Sequence, residues 1–269
     1  MAGNRLDNAQ IWHQYVYHKQ PLLQLAQTYK CSPKTIQRRL KQHKITLQNQ
    51  STKPIILLID TTYWKRGFGL MLFKDAISGQ NLLKYYVKNE TNALYLKGIN
   101  ELEQRGYHIL AVVCDGRRWL IQKLAKYPVQ LCQYHQQQII QRYLPKRSKH
   151  PSAKHLRHIS SMLTELSETQ LKDFLAQWLD EWADYYNERT INPENGRSYY
   201  THRRLRSAFR SLKNNLSYLF TYQRYPSLNI PNTSNKIEGC FGNLKQMLRN
   251  HQGMSLSQKM KMIDEILGV

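Results

Sequence analysis

Two uninterrupted apolar runs constrain this chain more than any other feature: PIILLID, residues 54–60, and the core of YHILAVVCDG, residues 107–116. Each has the length of a strand and none of the apolar/polar alternation of a half-exposed one. Both therefore read as buried strands of a sheet covered by helices. FGLMLFKDAIS and NLLKYYVKN read as hairpin-linked neighbours, and NALYLKGINELEQRG as an amphipathic helix ending at Gly106. RRWLIQKLAK reads as a short helix, and VQLCQYH as a third short strand leading into the helix QQQIIQRYL. The order β-β-β-α-β-α-β-α predicts an α/β architecture, a mixed sheet with helices on its faces.

The sequence on either side of this block is different in kind. Residues 6–46 read as three short helices centred on LLQLAQTYKCSPKTIQRRLKQ. Leu22, Leu25, Ala26 and Tyr29 form an apolar face, and Ser32-Pro33 is an N-cap followed by a first-turn proline. Ile36 and Leu40 then point inward while Lys34, Thr35, Gln37, Arg38 and Lys41 point outward, a helix-turn-helix pattern with a basic recognition helix. Lys30 stands at the turn position where glycine is preferred. The polar stretch QNQSTKP is read as a linker over 48–54, which separates a helix-turn-helix domain at 1–47 from a second domain at 55–269. From about 151 to 228 strand patterns are absent. Leu171, Phe174, Leu175, Trp178, Leu179 and Trp182 fall at helical spacing, as do Leu205, Phe209, Leu212, Leu216 and Leu219, so this region reads as a helical insertion joined by a polar loop. Two more helices, one from about Ser234 and one over 255–267, close the chain.

Forty Lys and Arg against eighteen Asp and Glu give a net charge of +22, which favours a polyanionic partner; its distribution along the chain points to nucleic acid. There is no apolar run of membrane-spanning length, and MAGNRLDNAQ has no signal-peptide core, so the expectation is a protein that acts in the cytoplasm with no membrane partner. Cys31, Cys114, Cys132 and Cys240 are too scattered for a disulfide framework and form no CxxC pair.

Against this basic background three carboxylates stand out. Asp60 and Asp115 follow the two buried runs, where a sheet delivers side chains to a crevice at its edge. Either aspartate alone could simply cap a turn, and DG is itself a turn signal. Between Asn195 and Ile263 there are twelve Lys or Arg and one acid, Glu238, early in the helix of NTSNKIEGCFGNLKQ; there the helix dipole alone would favour it by about 0.3–1 kcal/mol. Taken together, two aspartates and a glutamate are hard oxygen ligands suited to Mg²⁺ or Mn²⁺. Two such ions about 3.5–4 Å apart activate the attacking oxygen and stabilise the leaving oxygen of a phosphodiester. Asp180, Glu181, Asp184 and Glu188 compete for the third place, but their spacing beside the tryptophan stripe is that of an exposed helix face.

IDTTYW, VVCDGRRWL, LCQYHQQQ and TSNKIEGCFGNLK, in this order around a helical insertion, resemble the DDE transposases of the Mutator-like superfamily found in bacterial insertion sequences. The resemblance covers roughly 54–267. It implies a ribonuclease-H-like catalytic domain with Asp60, Asp115 and Glu238 as the metal-binding catalytic residues, cleaving transposon ends and joining them to target DNA. It also implies double-stranded DNA partners, terminal inverted repeats and target, with a homo-oligomer on paired ends. A nuclease or resolvase on the same fold, or a non-catalytic regulator, are the alternatives. Cys132 and His135 match the family's Cys-x-x-His element. Two ligands do not make a tetrahedral zinc site, and Cys114 and Cys240 are expected to point away from converging carboxylates, so zinc is not expected. His135 is expected in the crevice, on the scissile phosphate or orienting a carboxylate, and Cys132 as a packing residue. Arg117, Arg118 and Trp119 follow Asp115 and suit phosphate contact and base stacking, although Trp119 reads slightly better as core. Arg203, Arg204, Arg206 and Arg210 form the densest basic run.

Overall fold

The computed structural model describes residues 7–44, 53–251 and 253–269, so most of the 48–54 linker lies outside the described residues. Three helices come first: α1 (Asn8–Val16), α2 (Leu22–Thr28) and α3 (Pro33–Gln42). The Ser32 hydroxyl accepts from the Thr35 amide and so caps α3, which starts on a proline as its sequence predicts. Lys30 takes the left-handed turn conformation with φ 49°. Ile11, Leu25, Ile36 and Leu40 are buried between the three helices, leaving Lys34, Gln37, Arg38 and Lys41 on an outward stripe of α3 with Thr35 at its edge.

The central sheet contains β1 (Pro54–Lys65), β2 (Phe68–Asp75) and β3 (Asn81–Val87), then β4 (His108–Cys114) and β5 (Val129–Leu131), in the order β3-β2-β1-β4-β5. The first three form an antiparallel meander, while β4 and β5 run parallel to β1. The crossovers are α4 (Asn92–Gln104) from β3 to β4 and α5 (Arg118–Lys123) from β4 to β5, after which α6 (Gln133–Tyr143) leaves the sheet. This strand order and these directions make the fold ribonuclease-H-like, as expected. β1 does not stop at Asp60 as its apolar run suggests. Its pairing with β4 ends at Leu58↔Val113, whereas its pairing with β2 continues through Asp60↔Leu72 to Lys65↔Phe68. The sheet therefore forks at the first aspartate.

Strand alternation sorts the core into two faces. Ile55, Leu57, Ile59, Phe73, Val112 and Cys114 face one layer, which includes α4 and the insertion. Ile56, Leu58, Leu72, Ala111 and Val113 face the other, made of α12 (Asn235–Arg249) and α13 (Leu256–Leu267), and that cluster is continuous with the core of α1–α3. Lys261 on α13 donates to the Leu40 carbonyl at 2.8 Å and lies 4.8 Å from the Trp12 ring centroid.

The insertion holds α7 (Pro151–Ser161), α8 (Glu168–Glu181), α9 (Ala183–Asn187), α10 (Arg203–Leu219) and α11 (Thr221–Arg224). Trp178 is fully buried, its Nε1 donating to the Ser152 carbonyl at 3.0 Å, and it stacks on Phe209. One expectation fails here: the polar loop is a hairpin of β6 (Arg189–Ile191) and β7 (Ser198–Tyr200). Gly196, at φ 66°, supplies the turn conformation that closes it. Arg206 is held against this hairpin and Tyr186, 3.4 Å from the Tyr200 ring centroid, leaving Arg203, Arg204 and Arg210 exposed. Asp180, Glu181, Asp184 and Glu188 are exposed, with Glu181 paired to His155 and Glu188 to His202.

Candidate active site

Parallel register brings the two aspartates together. Leu58 pairs with Val113, so Asp60 and Asp115 each lie two residues beyond that pair, on the face that α12 covers. Val113 pairs in turn with Gln130, which puts Cys132 two residues beyond on the same face, and the Cys132 amide donates to the Cys114 carbonyl at 2.9 Å. Cys114 itself faces the opposite core, as expected.

The start of α6 is then tied to the segment before α12. The Gln133 amide donates to the Asn232 carbonyl at 2.9 Å, and the Asn232 amide group donates to Gln133 Oε1 at the same distance. This clamp sets two helix N-termini side by side, His135 in the first turn of α6 and Glu238 in the first turn of α12. His135 Nε2 lies 3.6 Å from Glu238 Oε1, each side chain a little over a quarter exposed. Ser234 occupies the N-cap position of α12 but does not cap it. Its amide and its hydroxyl both lie 3.2 Å from Cys132 Sγ, and the hydroxyl lies 3.3 Å from Glu238 Oε1. Cys132 is thus a bonded member of the site, and more than packing.

The charges explain one another. Asp60 is pushed up to about 7, mainly by burial, with the negative charges of Asp115 and Glu238 adding to it and His135 and the Thr61 amide opposing. Burial also raises Asp115, helped by the charge of Glu90. Among the described residues no Lys or Arg forms an ion pair with either aspartate. His135 is raised to about 9 by the neighbouring Cys132 sulfur and by Asp60 and Glu238. Burial raises the Cys132 thiol, but His135 and Ser234 outweigh it and hold the group below its usual range.

Glu90 was not singled out in the sequence. It follows β3 in KYYVKNE, a strand-end carboxylate of the kind that drew attention to Asp60. It accepts from the Tyr95 hydroxyl at 2.7 Å, and Tyr95 accepts from the Thr61 hydroxyl at 2.9 Å, a chain that ends beside Asp60. Glu90 also pairs with Arg117 Nη1 at 2.7 Å, whose Nε donates to Asn92. Arg117 is therefore held in place beside the aspartates, while the Arg118 side chain lies outside the described residues. Trp119 is 71 % exposed, contrary to the core reading, because the six-residue α5 spends its inward positions on Leu120 and Ile121.

A cavity of about 440 Å³ lies further along β1 and α12, lined by Tyr63, Trp64, Phe68, Lys65, Lys245 and Arg249 among others, with no carboxylate in its wall. No protein-family model and no curated protein matches the sequence. Among solved structures the chain is similar to the Drosophila P element transposase strand transfer complex, at 12 % identity over 98 % of this chain and 92 % of that one, with a TM-score of 0.46. It is also similar to the simian T-cell lymphotropic virus intasome in complex with PP2A regulatory subunit B56 gamma, at 11 % identity over 77 % and 68 %, with a TM-score of 0.24.

Proposed function

We propose that this protein is a DNA transposase of the Mutator-like kind, which binds transposon ends and carries out metal-dependent strand cleavage and strand transfer. The observation that carries this reading is the gathering of Asp60, Asp115 and Glu238 on one face of the sheet fork, with no Lys or Arg ion pair to either aspartate among the described residues, in a chain of net charge +22. Two aspartates that burial presses toward protonation, with the charges of Asp115 and Glu238 adding to it at Asp60 and that of Glu90 at Asp115, fit a divalent-cation site, since a bound cation offsets that negative charge. When bound, the two Mg²⁺ ions supply activation of the attacking oxygen and stabilisation of the leaving oxygen.

The chain's own groups do the positioning. His135 orients Glu238, and Arg117, steadied by Glu90, reaches a phosphate next to the scissile one. Helices α1–α3 act as the helix-turn-helix domain, with Lys34, Thr35, Gln37, Arg38 and Lys41 read as its DNA contacts. The basic aromatic cavity beside β1 suits the passage of a DNA strand between that domain and the carboxylates.

Incubation with DNA carrying the flanking terminal inverted repeats, with and without Mg²⁺, tests the proposal. Cleaved ends joined to target DNA are expected only with metal. Asp60→Asn, Asp115→Asn and Glu238→Gln should each abolish cleavage while end binding persists, and full cleavage by any of them refutes the assignment. Cleavage without joining indicates a nuclease or resolvase, and binding without cleavage a regulator.

A further inference from the structure

We infer that Cys132, His135 and Glu238 form a second metal site, one that takes a thiophilic divalent cation of the zinc type and competes with magnesium chemistry for Glu238. Zinc is not expected from the sequence, where Cys132 and His135 supply only two ligands and Cys114 and Cys240 point away. The folded chain offers a different third ligand. Among the described residues, one group of three His, Cys, Asp or Glu side chains brings its ligand atoms within 4.8 Å of one another, and it is this one. Zinc bonds of about 2.0–2.3 Å put tetrahedral ligands roughly 3.3–3.8 Å apart, so side-chain shifts of about an ångström close the set.

Three further features suit such an ion. The Cys132 sulfur is buried and receives two hydrogen bonds at 3.2 Å, from the Ser234 amide and hydroxyl, which is how a metal-bound thiolate is held. His135 Nδ1 is buried without a hydrogen-bond partner, a nitrogen with a lone pair or proton unassigned. His135 and Glu238 keep an exposed edge, leaving the fourth position to water. A thiolate and an imidazole together select Zn²⁺ or Co²⁺ over Mg²⁺, which prefers an all-oxygen shell. Glu238 belongs to both ligand sets, so an ion held here with Cys132 and His135 competes with the carboxylate set for it.

Cobalt(II) titration of the metal-free full chain tests this without reference to activity. The wild type should develop a near-ultraviolet thiolate-to-cobalt charge-transfer band with visible tetrahedral bands, all displaced by Zn²⁺. Cys132→Ser should lose the charge-transfer band, His135→Ala should weaken cobalt binding at least tenfold, and Cys240→Ser and Asp60→Asn should retain the band. No band in the wild type, or a band unchanged in both Cys132→Ser and His135→Ala, overturns the site. Competition rests on the transposase reading and is read separately: Zn²⁺ should suppress Mg²⁺-dependent cleavage in the wild type at concentrations that displace cobalt. If no cleavage occurs under any condition while the cobalt band behaves as described, the transposase reading fails and the metal site stands.

Discussion

Replacing Asp60 by asparagine should stabilise the metal-free protein even though it removes a proposed metal ligand. An aspartate has an ordinary value of 3.8, and in the folded chain Asp60 is pushed to about 7. Between those values the folded state holds a proton that the unfolded state has released. Stability therefore falls as pH rises through that window, and the loss is complete above about 7. At about 1.4 kcal/mol per pH unit the penalty is at most about 4 kcal/mol, and screening at a carboxylate that keeps some solvent contact reduces it to roughly 2 kcal/mol. Asparagine keeps the shape and the acceptor for the Thr61 amide, 2.7 Å away, and carries no charge. In EDTA at pH 8, Asp60→Asn should melt roughly 4–8 °C above wild type. The gap should shrink to less than half by pH 5, where wild-type Asp60 is largely protonated. Added Mg²⁺ should raise the wild-type Tm and leave the variant nearly unmoved. A variant that is less stable than wild type at pH 8, or a gap independent of pH, would refute the electrostatic account of the site.

Two further perturbations probe the surroundings. Gly98 lies buried in α4 over Phe73, and a Cβ placed there would meet the ring at 2.1 Å, so Gly98→Ala should destabilise by about 1–3 kcal/mol despite the better helix propensity of alanine, read as a lower urea midpoint with unchanged slope. Lys245→Ala and Arg249→Ala, in the cavity beside β1, should each weaken DNA binding across sequences and reduce the slope of log affinity against log salt by about 1, without changing preference for the inverted repeat.

Much of this molecule is local in origin and so is legible in the chain itself. The two apolar runs, their alternation into two faces and the helical stripe containing Trp178 follow from side-chain period and burial, which neighbouring residues decide. So do the cap and first-turn proline of α3. The positions of Asp60 and Asp115 after buried runs, and of Glu238 as the lone acid in a basic tract, likewise need no tertiary information. Three matters did. Trp119 is exposed because α5 is too short to bury more than one side, and helix length is set by the crossover from β4 to β5. Glu90 belongs beside Asp115 because the turn after β3 leads back across the sheet through Tyr95 and Arg117, contacts between residues 5 and 27 positions apart. Cys132, His135 and Ser234 meet Glu238 only because the Gln133–Asn232 clamp joins two helix starts 99 residues apart in the chain. Local chemistry thus chose which residues are capable of binding metal, and parallel register and the docking of α12 decided which of them share a site, because no sequence spacing encodes the distance between elements that meet only after the sheet has formed.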